Sequence, residues 1–259
     1  MSLAPLHAVG ALLLVLLLAP LVLSVLVAFA PGETLEVPAP GQLSLHWFRV
    51  FLADHVWVRG AVNSSLIAVM TTLIAVITGG AAALGIERHA VPGKRALSLL
   101  LLLPLFVPPV VLGIQNLAWH QRIGLWGTHL SLALAHALWA SPVVFMVVSS
   151  ALRGVDRRLE EAAAGMGAHP FAVFWRVTLP LIAPSLLVAG FFAFIISFNE
   201  FLMALFLATP RTQTISTIIW PQLHYNPTPE IAAASAVLLG VTTIALGAAV
   251  RVLGVRTLV

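Results

Sequence analysis

The sequence predicts an all-α, polytopic membrane protein with six transmembrane helices, and three observations predict it. Sixty per cent of the 259 residues are hydrophobic and only 8% are charged, where a soluble domain carries about 25% charged residues. Mean hydropathy is +1.05. Six stretches reach the roughly 20 mostly apolar residues that a bilayer core demands of one helix. So few charges cannot coat a water-facing surface, and disorder needs the opposite balance of low hydrophobicity and high net charge.

The first span is 9–30, with no ionisable residue. It reads as a retained span rather than a signal peptide, because no basic residue precedes Val9 and the apolar run exceeds a signal core of roughly 7–15 residues. The second is 61–86, polar only in Asn, Ser, Thr and Gly. Asn63, Ser64 and Ser65 at its start read first as a helix cap and second as inter-helix glue. Gly79, Gly80 and Gly85 permit close helix packing. The third span is 96–118, interrupted by Pro104, Pro108 and Pro109. Prolines at that depth remove backbone donors, and the irregular backbone must be satisfied by packed protein or by a water-filled cavity. Pro108 and Pro109 are therefore either a static kink or a border of a translocation path.

The fourth span is 128–152. His129 and His136 lie seven residues apart on it, without the i, i+4 spacing or third ligand of a metal site, and read as packed or interfacial side chains. Ser141 faces His136 loosely and lacks a supporting acid. The fifth span opens at Pro180 and runs to about Ala208, too long for one untilted crossing. A break or strong tilt is expected near Ser197–Glu200. Glu200 is the only carboxylate within a predicted span, and an ionisable group at membrane depth is costly and marks function by default. Either Asn199 and Glu200 line the outer part of a path for a polar or cationic substrate, or Glu200 is solvated at the interface or capped by a neighbouring chain. The sixth span is 231–250.

The loops orient the bundle. Nine Lys and Arg fall after spans two, four and six, among them Arg88, Lys94, Arg95, Arg153 and Arg256, against four in the opposite loops. The richer side is cytoplasmic by the positive-inside rule, so both termini lie inside. In a soluble domain a net charge of +4 and a pI near 11 would raise nucleic acid. Here the scattered basic residues serve orientation, and no nucleic-acid partner is expected. On the outer side, Leu45–Leu52 turns amphipathic, and Trp47, Phe48 and Trp57 suit the membrane interface. The chain has no cysteine, which removes disulfides, cysteine-ligated metal and thiol catalysis. No internal repeat or soluble domain is evident.

The inner loop 153–179 carries the most information. Asp156 caps a short helix with Glu160 and Glu161 in its early turns, and Glu161-Ala162-Ala163-Ala164 is strong helix former. Gly167 is the αL stop. Pro170 starts a second short helix, with Phe171, Phe174 and Trp175 on one face, and Pro180 then opens the fifth span. Two short helices at a fixed angle make a rigid plug for a groove; a loop helix lying on the membrane is the alternative.

This loop resembles the cytoplasmic signature of the inner-membrane permeases of binding-protein-dependent ABC importers: Glu-Ala-Ala, three residues, Gly, nine residues, Ile, any residue, Leu-Pro. Here it reads Glu161-Ala162-Ala163, Gly167, Val177, Leu179-Pro180. Every spacing matches, and Val for Ile is the only departure. Further pieces are similar to the second permease component of spermidine/putrescine-type systems: Leu45-His46-Trp47-Phe48, Asn63-Ser64-Ser65, Leu103-Pro104-Leu105-Phe106-Val107-Pro108, Ser197-Phe198-Asn199-Glu200-Phe201 and Ile231-Ala232-Ala233-Ala234-Ser235. That branch usually carries Asp where this chain has Asn199.

The resemblance implies a type I ABC importer permease fold, a single permease domain over 1–259, in a bacterial cytoplasmic (inner) membrane. It implies a transport subunit for a small solute, first a polyamine or similar organic cation, with thiamine, ferric iron, phosphonate or an amino-acid derivative as alternatives. It implies that Glu161, Ala162, Ala163, Gly167, Ala168 and Pro170 form a coupling helix docking into an ATPase. The implied partners are an ABC ATPase dimer, a second permease subunit (homologous or identical) and a periplasmic or surface-anchored solute-binding protein. No Gly-x4-Gly-Lys-Ser/Thr is present, so ATP and Mg belong to the ATPase and this chain is expected to bind no cofactor or metal. An intramembrane hydrolase would need paired catalytic groups at one depth, and an ATP-independent transporter would show inverted repeats or several intramembrane charges; neither pattern is evident.

Overall fold

The computed structural model describes residues 4–225 and 227–252. Arg256 and both chain ends, on which part of the orientation reading rests, lie outside the described residues. All regular structure among the described residues is helical. In chain order the helices are α1 (Ala4–Val27), α2 (His46–Ala53), α3 (His55–Arg88), α4 (Lys94–Leu102), α5 (Pro109–Arg122), α6 (His129–Gly154), α7 (Arg157–Gly165), α8 (Pro170–Val173), α9 (Leu179–Phe198), α10 (Leu202–Leu207), α11 (Ile215–Tyr225) and α12 (Pro229–Val252). Among the described residues, five helices are long and apolar enough to cross a membrane, and six if α4 and α5 count as one bent span.

The chain divides into two compact units, residues up to 61 with 215–241, and residues 62–214 with those from 242 onward. In the first unit, Phe51, Trp57, Ile215, Ile218 and Ala234 form one core, and Ala28, Trp47, Ala232 and Ala233 another. The middle of α1 stays open, with Leu12 to Leu18 half or more exposed. A helix apolar on every side fits lipid rather than water. Trp47 and Trp57 are buried, which corrects their reading as interface aromatics. Trp57 packs on Phe51, and the Trp47 indole donates to the Gly32 carbonyl at 3.0 Å, so both rings face protein.

In the second unit, α3, α6 and α9 share a core of Ala75, Ala83, Ala140, Val144, Val148, Leu152, Ile182, Ala189 and Ala193. Small residues let these backbones approach. At Gly79 a Cβ would stand 2.5 Å from the Ser141 carbonyl oxygen and 3.0 Å from Val144 Cβ, so only glycine allows this crossing of α3 and α6. Gly80 and Gly85 do not share that constraint: the nearest atom at Gly80 is 3.8 Å away, and Gly85 faces open space. A second core joins Ile67, Leu132, Ala133, Ala135, Met203, Ala204 and Leu207.

Several boundaries differ from the sequence expectation. The second span starts at His55 rather than 61, because Asp54 caps it by accepting from the Val56 amide at 2.7 Å. Asn63 therefore sits inside α3 and is no cap. It bonds outward instead, donating to the carbonyls of Arg211 at 3.0 Å and Gln213 at 2.9 Å, with its Oδ1 2.8 Å from His129 Nε2. The third span is bent by 98° between Phe106 and Pro109. Val107 takes the extended backbone that a following proline favours, and Pro108 and Pro109 have no N–H to leave orphaned where α5 begins.

The fifth span does not open at Pro180. A continuous helical run extends from Pro170 to Phe198, so the second loop helix and the span are one rod. Pro180 cannot donate to the carbonyl four residues back. Just before it, Phe174–Thr178 widens into a π turn, in which the Leu179 amide donates to the Phe174 carbonyl. The rod then breaks at Asn199–Phe201, and α10 continues as a separate short helix.

Candidate functional site

Loop 153–179 is built from its caps inward. Asp156 accepts from the Arg158 amide at 3.0 Å and starts α7. The Ala168 amide donates to the Ala163 carbonyl at 3.1 Å and the Gly167 amide to the Ala164 carbonyl at 2.9 Å, with Gly167 at φ +89°. That pair of bonds is a Schellman stop. It gives the spacing from Ala163 to Gly167 a local cause: these are the first carbonyl left without an i+4 partner and the left-handed residue of one helix end. The space around Gly167 is open, so only its backbone conformation requires glycine. His169 then caps the next helix by accepting from the Phe171 amide at 3.3 Å, and Pro170 takes the first position.

Leu159, Ala162, Ala163 and Met166 fall at i, i+3, i+4 and i+7 of the α7 turn. Leu159 is 50% and Met166 84% exposed, Ala162 is exposed and Ala163 half-buried. A small-residue apolar stripe thus points away from its own bundle. Glu161 is also outside, loosely paired with Arg157 at 3.6 Å. Phe171 and Trp175 extend the exposed apolar surface onto the next helix, with ring centroids 5.9 Å apart.

The opposite side of α7 is anchored through Glu160, a residue to which the sequence reading gave no role beyond the early turn. Its carboxylate meets Arg88 Nε at 2.9 Å and accepts from Thr178 Oγ1 at 2.8 Å. Arg88 also donates to the Leu152 carbonyl at 3.0 Å. One half-buried carboxylate therefore ties α7 to the end of α3 and to the π turn that leads into α9. The signal for it was the pair Glu160-Glu161, since adjacent residues on a helix face different sides.

The break at Asn199–Phe201 is the second feature. Glu200 is buried, 6% exposed, and its carboxylate accepts from the amides of Met203 at 3.0 Å and Ala204 at 3.1 Å. It caps α10 within its own chain, so it is neither solvated nor in need of a neighbouring chain for its cap. His136 Nε2 stands 3.4 Å from Glu200 Oε2, and its Nδ1 is 2.9 Å from Ser197 Oγ, which bonds Thr71 at 3.0 Å. His136 is thus engaged with α9 and the break, and not with Ser141, whose partner is Thr78 at 2.9 Å. Asn199 is exposed and donates to the Ile195 carbonyl at 3.0 Å and to Thr242 at 3.2 Å. Pro108 is exposed and Pro109 half-buried. No three metal-ligating side chains converge among the described residues.

The chain resembles proteins of one kind. It is 30% identical over 86% of its length, and 82% of the relative, to the putrescine transport system permease protein PotI of Escherichia coli (strain K12). It is 27% identical over 76% of each chain to the spermidine/putrescine transport system permease protein PotC of Haemophilus influenzae. Its fold matches a chain in the crystal structure of a bacterial ABC transporter involved in import of the acidic polysaccharide alginate, with a TM-score of 0.74 at 17% identity, covering 96% of this chain and 93% of that one. Residues 72–257, well over half the chain and including the whole 153–179 loop, match the family described as binding-protein-dependent transport system inner membrane component. The chain belongs to that family of inner-membrane transport components.

Proposed function

We propose that this chain is the membrane-spanning permease subunit of an ATP-driven importer, and that it carries a polyamine or similar small organic cation into the cytoplasm. The observation that carries the coupling role is the outward stripe of α7, Leu159, Ala162 and Met166, on a helix stopped sharply at Gly167 and fastened from behind by Glu160. A rigid apolar stripe with small residues fits a groove on another protein. Kinship to permeases named for putrescine and spermidine supports the solute class, while the same fold in an alginate importer means that fold alone does not choose the solute.

In this reading 1–259 is one permease domain of a cytoplasmic (inner) membrane. Both termini are cytoplasmic. Two ATPase subunits dock inside, a second permease (homologous or identical) completes the pathway, and a periplasmic or surface-anchored binding protein delivers solute outside. ATP and Mg stay on the ATPase; this chain binds no cofactor or metal and no nucleic acid. Closure of the ATPases moves α7. Glu160 passes that displacement to α3 through Arg88 and to α9 through Thr178, and the spans swing between inward-open and outward-open. Asn199 with Pro108 and Pro109 borders the path, and Glu200 acts behind it by holding α10.

Replacing Gly167 with leucine tests the coupling role. A side chain in the left-handed region costs about 1–2 kcal/mol and shifts the α7 stop. The variant should insert normally, fail to stimulate its ATPase and abolish putrescine uptake. Wild-type uptake by that variant contradicts the docking role.

A further inference from the structure

A cleft of about 600 Å³ opens where α3 ends, α4 begins and α6 ends, lined by Glu87, Lys94, Arg95, Ser98, Leu99 and Arg153 among others. Arg153 is fixed across it, donating through Nε and Nη2 to Glu87 Oε1 at 3.0 and 2.8 Å. That pair cancels its own charge. Lys94 and Arg95 make no salt bridge to any carboxylate among the described residues and both are exposed, so the cleft holds an uncompensated excess of positive charge. It lies at the ends of α3 and α6, both long and apolar enough to cross a membrane, which in the membrane-spanning reading proposed above is headgroup level. One turn further along α4, Leu99 lines the cleft and is 69% exposed, and Leu103, four residues on, is 51% exposed, an apolar strip beside the cations.

Cations at headgroup level with an apolar strip running inward match an amphiphile with an anionic head and acyl tails. Scattered snorkelling side chains need no cleft; here the charges converge on one. We propose that this cleft is a binding site for an anionic phospholipid, with the phosphodiester on Lys94 and Arg95 and an acyl chain along Leu99 and Leu103. The site stands on span ends and side-chain charge, and does not depend on how α7 meets an ATPase.

The test uses the transporter purified with its partner subunits and reconstituted in nanodiscs of equal phosphatidylglycerol and phosphatidylcholine. Lipid retained after mild detergent exchange is measured by native mass spectrometry. Wild type should retain phosphatidylglycerol preferentially, and Lys94→Gln with Arg95→Gln should lower that preference by about fivefold per charge removed. Lys94→Arg with Arg95→Lys should keep it, as should Arg122→Gln, which changes a charge outside the cleft. Millimolar glycerol phosphate should not displace the lipid, because it lacks the tails. Equal retention in the double variant overturns the proposal. So does displacement by glycerol phosphate, which makes this a soluble-anion site. Loss of the ATPase with lipid retention unchanged also overturns it, since the cleft is then a protein contact.

Discussion

Glu160 and Glu161 are neighbours in the chain with opposite surroundings. Glu161 lies in solvent, whereas Glu160 is held by Arg88 and Thr178. Hydrogen bonds to a charged group contribute about 1.5–3 kcal/mol when partly buried. Glu160→Ala leaves the Arg88 guanidinium, already buried at Nη2, without its carboxylate. The expected result is an ATPase still bound but poorly coupled: solute-stimulated ATP hydrolysis in proteoliposomes persists while uptake per ATP falls at least severalfold. An unchanged uptake-to-ATP ratio removes Glu160 from the transmission. Glu200 makes a similar contribution in a different place. Glu200→Ala orphans the amides of Met203 and Ala204 inside the protein, and should cost about 2–3 kcal/mol, read as a lowered unfolding temperature of the detergent-purified chain. Asn199→Ala loses two bonds at an exposed site and should change stability much less, while altering uptake if it borders the path.

At the scale of elements, the close crossing of α3 and α6 rests on Gly79. Gly79→Leu must push the Ser141 backbone aside, and overpacking of this kind typically costs about 1–3 kcal/mol. It should therefore lower thermal stability, and Gly85→Leu, facing open space, should not; equal losses in both variants would refute the packing assignment. Local chemistry made the helices legible. Asp156, Gly167 and Pro170 each act on the backbone within a few residues, so the start and stop of α7 could be read directly. The Pro180 boundary could not be read, because a proline opening a helix and a proline absorbed by a π turn look alike in sequence. Asn63 was misleading for a related reason: the cap belonged to Asp54, nine residues earlier, and Asn63 bonds to residues almost 150 positions away. The break at Asn199–Phe201 was foreseeable from length alone. Its cause, a Glu200 carboxylate turned back onto α10 and set beside His136, depends on tertiary packing that no local pattern records.

At the scale of the whole molecule, the sequence has no nucleotide-binding motif, and α7 in the 153–179 loop presents an exposed apolar stripe. What α7 touches therefore decides the coupling role. The absence of cysteine from this sequence makes that contact directly measurable, since Met166→Cys introduces its only thiol. Short-span cross-linking from that position in the assembled transporter should give a product with the ATPase subunit, in higher yield than from Arg122→Cys at the far end of α5, and the yield should respond to ATP. A Met166→Cys thiol that reacts freely with a water-soluble maleimide in the intact transporter, and forms no ATPase product with or without nucleotide, would contradict the account.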